Sequence, residues 1–199
     1  MADNVALIDP TSPVATALLE AIAILRLHFP DAYNVILTRE SQDQRLEESS
    51  TPVAAPLIAG GETLTAALLV RLLSSALGDR IIHTMSIGTT DENLFKRGGQ
   101  LIGKCGAIYY IDANGVDLEY HLRAASKGYT GVEGFGTIVD LTGFMHGKSD
   151  LKGLLVEGGV YVDWEGEQER TSLAIEGVSM QLFEAIIRDL PADIVDYRT

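Results

Sequence analysis

Gly143-Phe144-Met145-His146-Gly147-Lys148-Ser149 follows an apolar run and ends in the Gly-Lys-Ser of a phosphate-binding loop. Such a loop needs four residues between its glycines, so that successive N–H groups curl around a phosphate while the lysine reaches its outer oxygens. Here there are three, and the required first glycine falls on Thr142. Val160 to Asp163, then Glu165, imitates the acid-ended strand that organises a metal ion beside that loop, but it follows Lys148 too closely for a full crossover helix. A turn and a hairpin strand fit these residues better than a nucleotide site.

Cys105 could act as a nucleophile only as a thiolate beside a base, and spacing places neither His83, His121 nor His146 next to it. A lone cysteine more often packs as a small buried apolar residue. Cys105, His121 and His146 are therefore the weak catalytic candidates. For an anionic ligand the candidates are Lys96, Arg97, Lys127, Lys148 and Ser149, carried on three loops at 88–99, 126–136 and 143–152. Lys96 and Arg97 also fit the body of a helix whose first turn carries Asp91 and Glu92, an arrangement that suits the helix dipole. The four glycines between Lys127 and Gly136 could approach an anion, yet no helix start comes after them to add its dipole. No histidine pair has metal-ligand spacing, and Asp163, Glu165, Glu167 and Glu169 lack the glycine and closing glutamate of a calcium loop. No metal and no cofactor is expected.

These side chains must be placed by elements that hydrophobic period and turn residues predict. Ser12-Pro13 reads as N-cap and first position of a helix to about His28, with Val14, Leu18, Ile22, Leu25 and Phe29 as its apolar stripe and Pro30 as its stop. Tyr33 to Thr38 reads as a strand. The two prolines and closing Gly60-Gly61 of 47–61 suggest an extended or mobile arm. Leu64 to Leu77 is a helix apolar on most of its circumference, so it should be central. Arg80 to Ile87 looks like a strand and Asp91 to Leu101 like a short helix. Asn114-Gly115 supplies positive φ twice, predicting a hairpin that pairs Tyr109 with Tyr120 and leaves His121 on the polar face. Thr137 to Leu141 is another strand, Gly158-Gly159 the turn of a second hairpin, and Ser172 to Ile175 an extension of it. Ser179 caps a last helix from about Met180 to Leu190. The expected fold is α+β: one domain over 1–199, its helix-rich N-terminal half packed on a mainly antiparallel sheet, closed by a C-terminal helix.

Composition bounds the function. Twenty-eight acids against 15 bases give a net charge of -13, which repels a phosphate backbone and argues against nucleic acid as a partner. Residues 61–150 carry 8 of those 15 bases, so an anion site would lie there. A single cysteine and the lack of a signal-peptide layout point to the cytoplasm. Leu64 to Leu77 is well short of the roughly 20 residues that span a bilayer, so no membrane partner is expected. An apolar content of 46% with 22% charged residues suggests apolar surface buried against another subunit. The expectation is a non-catalytic interaction or assembly subunit, of a viral particle or another multi-subunit machine, whose partners are itself or other protein subunits. The alternative is an enzyme or binding domain for a small anionic ligand.

Overall fold

The computed structural model describes residues 12–38, 54–61, 63–77, 85–87, 91–107, 109–112, 117–145, 148–165 and 186. Helix α1 (Pro13–His28) starts where Ser12 Oγ accepts from Ala15 N at 3.2 Å, a cap worth about 1 kcal/mol. After Phe29 the chain bends by 116° into α2 (Pro30–Thr38). The proline that should stop one helix instead opens the next, where its missing N–H has no partner to lose. The strand expected over 33–38 is therefore a helix, and tertiary context overrides the β-branched Val35 and Ile36.

Strand β1 (Ala55–Ala59) lies at the centre of the sheet, so the 47–61 stretch is not an arm at 55–59, and 47–53 lie outside the described residues. Pro56 is tolerated for a local reason: the β1–β4 ladder bulges between Ala55 and Pro56, where the regular pairing that would need its absent N–H is interrupted. Helix α3 (Leu64–Leu77), β2 (Met85–Ile87), α4 (Glu92–Lys104) and β3 (Tyr109–Ile111) come next. Then come α5 (Leu118–Thr130), β4 (Phe135–Asp140), the single turn α6 (Ser149–Lys152) and β5 (Leu155–Asp163).

The five strands are ordered β3-β2-β1-β4-β5, and every neighbouring pair is parallel. The mainly antiparallel α+β expectation is thus overturned: the protein is mixed α/β. Parallel neighbours need crossovers rather than two-residue turns, and the chain supplies them as helices. Neither expected hairpin forms. Asn114-Gly115 lies outside the described residues, but the next element of the chain is α5 and not a return strand, so Tyr120 is exposed and Tyr109 meets Tyr129 instead, edge-on at 4.8 Å. Gly158-Gly159 lies inside β5. Phe135 pairs with Leu155 and Thr137 with Val160, so residues 156–159 bulge against Gly136. A Cβ at Gly159 would stand 2.9 Å from the Val156 carbonyl oxygen, which explains the glycine.

Helices cover both faces. On one, Ile58 and Val139 of the sheet meet α3, whose outer side is covered by α1, together with Leu101, Ile102 and Cys105 of the α4 end. On the other, Leu57, Ala59 and Ile138 meet Leu122 of α5 and Leu151 of α6. Helix α3 is buried along almost its whole length, as its all-round apolar sequence predicts. Helix α4 runs longer than expected, to Lys104, and Gly99 lets it approach the sheet: a Cβ there would lie 2.9 Å from the Tyr110 ring. Ile186 is helical and buried in the first core, while the rest of the expected C-terminal helix and the 172–175 strand lie outside the described residues. Among the described residues, no single helix is long and apolar enough to cross a membrane.

Candidate functional site

In a doubly wound sheet of this order, the chain winds outward in both directions from β1 and β4, and a crevice opens beyond the carboxyl ends of those two strands. That crevice is the default place for a ligand, and its walls are legible residue by residue. Strand β1 ends at Ala59 and runs through Gly60-Gly61 to Thr63, the cap of α3. Thr63 Oγ1 accepts from Ala66 N at 3.1 Å and donates to the Gly60 carbonyl at 2.8 Å. The first turn of α3 is thus capped from within the chain.

The opposite wall is the segment after β4. Pairing continues past the strand ends, because Leu141 N donates to the Ala59 carbonyl at 3.1 Å. Gly60 has φ +92, and a Cβ on it would sit 2.8 Å from Thr142 Cγ2 and 3.2 Å from Leu141 Cβ. Thr142 therefore fills the place beside the first glycine, where a ligand would need to approach the backbone. The segment is held by Asp140, a fully buried carboxylate. Its Oδ1 accepts from Thr142 N at 3.3 Å and Phe144 N at 3.0 Å, and its Oδ2 from Met145 N at 2.7 Å and the Tyr161 hydroxyl at 3.0 Å. Burial, and next the bond to Asp140, push the Tyr161 phenol well above its ordinary range, so it remains a donor.

The residues singled out from sequence are dispersed. Lys96 pairs with Glu92 of its own helix at 2.6 Å, and Arg97 is exposed on the same helix, which packs on the first face. Lys127 lies on α5, on the second face, 3.5 Å from Glu133 and close to where β4 begins. Lys148 follows the other end of β4 and places its ammonium 3.7 Å from the Phe144 ring centroid. Six residues of strand, about 20 Å at 3.3 Å per residue, separate those two ends. The four cations do not gather at one concavity. Ser149 opens α6 with its side chain outside the described residues, as is all of His146. Among the described residues, no cluster of histidine, cysteine and acids could hold a metal ion.

Cys105 and His121 lie on opposite faces of the sheet: the thiol is fully buried in the first core, and the imidazole is exposed on α5 beside Tyr120. Burial pushes the Cys105 thiol up from 9.0 to about 11, against a smaller opposing pull from Arg71. An unfolded chain would release this proton near pH 9 while the folded protein keeps it. The resulting stabilisation is whole below pH 9 and is lost as pH rises towards 11, by roughly 2–3 kcal/mol for a rise of this size. Cys105→Ala should flatten that alkaline loss, and urea unfolding of both proteins at pH 8 and pH 10.5 measures the difference.

The crevice residues Gly60, Thr63, Asp140, Thr142 and Tyr161 escaped the sequence reading. Their signal was the pair of short apolar runs, Ala55 to Ala59 before Gly60-Gly61 and Phe135 to Val139 before Asp140, which are the strand ends of a parallel sheet. No protein-family model matches the chain, and no curated protein is significantly similar to it. Among solved structures it is similar to the crystal structure of AibC, at 16% identity over 75% of this chain and 36% of that one, with a TM-score of 0.48. Glucose dehydrogenase from Haloferax mediterranei is likewise 16% identical, over 89% of this chain and 50% of that one, with a TM-score of 0.47. The chain spans half or less of the length of these proteins.

Proposed function

We propose that this chain is a non-catalytic interaction or assembly subunit of the cytoplasm, a doubly wound α/β scaffold whose partners are itself or other protein subunits. The observation that supports the non-catalytic part is the packing of Thr142 against Gly60, which narrows the place where a dinucleotide or other ligand would approach the backbone. The dispersal of Lys96, Arg97, Lys127 and Lys148, each lysine with a partner close by in sequence, weighs against the anionic-ligand alternative. The exposed leucines of α1 and α2, Leu27 and Leu37, are part of the exposed apolar surface on offer for assembly.

Two measurements test this role. Light scattering across a concentration range should give a mass above that of the 21.4 kDa chain. A constant 21.4 kDa at every concentration would sink self-association and leave only foreign partners. Calorimetric titration with NADH, NADPH and ATP should show no saturable heat, whereas saturable binding that responds to substitution of Thr142 would overturn the non-catalytic reading.

A further inference from the structure

Four donors converge on the two oxygens of Asp140, three of them N–H groups of the crevice segment and the fourth the Tyr161 hydroxyl from β5. The segment sets Thr142 against Gly60; Thr142 is itself exposed, whereas Phe144 is half-buried against the second core. Its ends are fastened differently: Leu141 by a backbone bond to Ala59, and Phe144 with Met145 by packing in the second core. Between them Gly143 sits at φ +67, a conformation with a ready alternative for a residue that lacks a Cβ. A short stretch with strong ends and little burial between them belongs to the low-stability part of a fold, where local opening is independent of global unfolding.

We propose that Asp140 is a latch: its carboxylate holds Thr142 and Gly143 down over the β1–β4 crevice, and this stretch lifts between its fixed ends when those bonds are lost. Asp140 acts as a positioning residue, and Tyr161 is the second half of the latch, tying it to β5. The inference rests on the same packing of Thr142 against Gly60 that supports the proposed role, but it does not depend on assembly.

Amide hydrogen exchange on the full chain tests it. Asp140→Asn keeps the shape but trades an acceptor oxygen for a donor NH₂, so the convergent bonds cannot all form. The Thr142, Phe144 and Met145 amides should then exchange about tenfold faster or more, while those of Leu57 to Ala59 in β1 and Leu68 to Leu73 in α3 keep their rates. Tyr161→Phe, which leaves the three N–H bonds in place, should give a smaller rise confined to the same amides, and it carries the test alone if Asp140→Asn does not fold. Unchanged exchange in the segment would overturn the latch, because the ends alone would then hold it. Equal acceleration of segment, β1 and α3 would also overturn it, making Asp140 a general support of the fold. A chain that stays monomeric leaves either result intact, so the latch and the assembly role can fail separately.

Discussion

Gly60→Val should destabilise the protein by about 2–5 kcal/mol, from two separable causes. A side chain held at φ +92 meets the left-handed penalty, about 1–2 kcal/mol and at the upper end for a β-branched residue. The added atoms also enter the space taken by Thr142 Cγ2 and Leu141 Cβ, and overpacking of this kind costs about 1–3 kcal/mol. The causes can be told apart by repeating the substitution in a Thr142→Ala background. Removing Cγ2 should recover part of the steric cost and none of the backbone cost. If Gly60→Val costs the same in both backgrounds, Thr142 does not occupy the crevice in solution, and the strongest support for a non-catalytic scaffold goes with it. Gly128→Ala in α5 is the matched control, since its Cβ would meet nothing within 4 Å and glycine is a poor helix former. It should stabilise by about 0.5–1 kcal/mol. Urea unfolding at one pH gives all these values.

The sequence announced those elements whose chemistry is local. Ser12-Pro13 and Asp91 are caps satisfied within their own first turn, and α1 and α4 begin where those residues place them. The long-range pairing was hidden because its signals are shared between structures. Leu118 and Leu122 lie four residues apart, a spacing that a period of 2 and a period of 3.6 both accept, so the stretch after Asn114-Gly115 could be read as strand or helix. Ala125, three residues after Leu122 and part of the inner face of α5, fits the helical series alone and was the discriminating residue, whereas the buried Ser126 fits both periods. Pro56 misled in the opposite direction. It argues against a central strand unless a bulge falls at that position, and the bulge is a property of the pairing with β4 rather than of β1 alone. Asp140 could not be singled out in advance for the same reason. A carboxylate at a strand end becomes the anchor of a loop only once Tyr161, 21 residues later, is brought alongside.

Leu18→Ala should cost about 2–5 kcal/mol, towards the upper end, and its concentration dependence bears on function as well as stability. Leu18 is fully buried in α1, in the core that also holds α3, itself buried almost throughout. A site enclosed on several sides cannot collapse around the missing methyl groups, and residual cavity volume raises the loss. Because the contacts lie within one chain, the loss should be the same at every protein concentration. Leu37 of α2 is 49% exposed and should behave oppositely. In the isolated chain Leu37→Ala should change stability by less than about 0.5 kcal/mol. If the outer face of α2 meets another subunit, the same substitution should lower the apparent stability more as the wild-type protein is made more concentrated, since association stabilises by mass action. Thermal unfolding of both variants over a hundredfold range of concentration separates the outcomes. A Leu18→Ala loss that depends on concentration would place α1 at an interface rather than in the core, and a Leu37→Ala effect absent at every concentration would remove α2 as the surface of assembly.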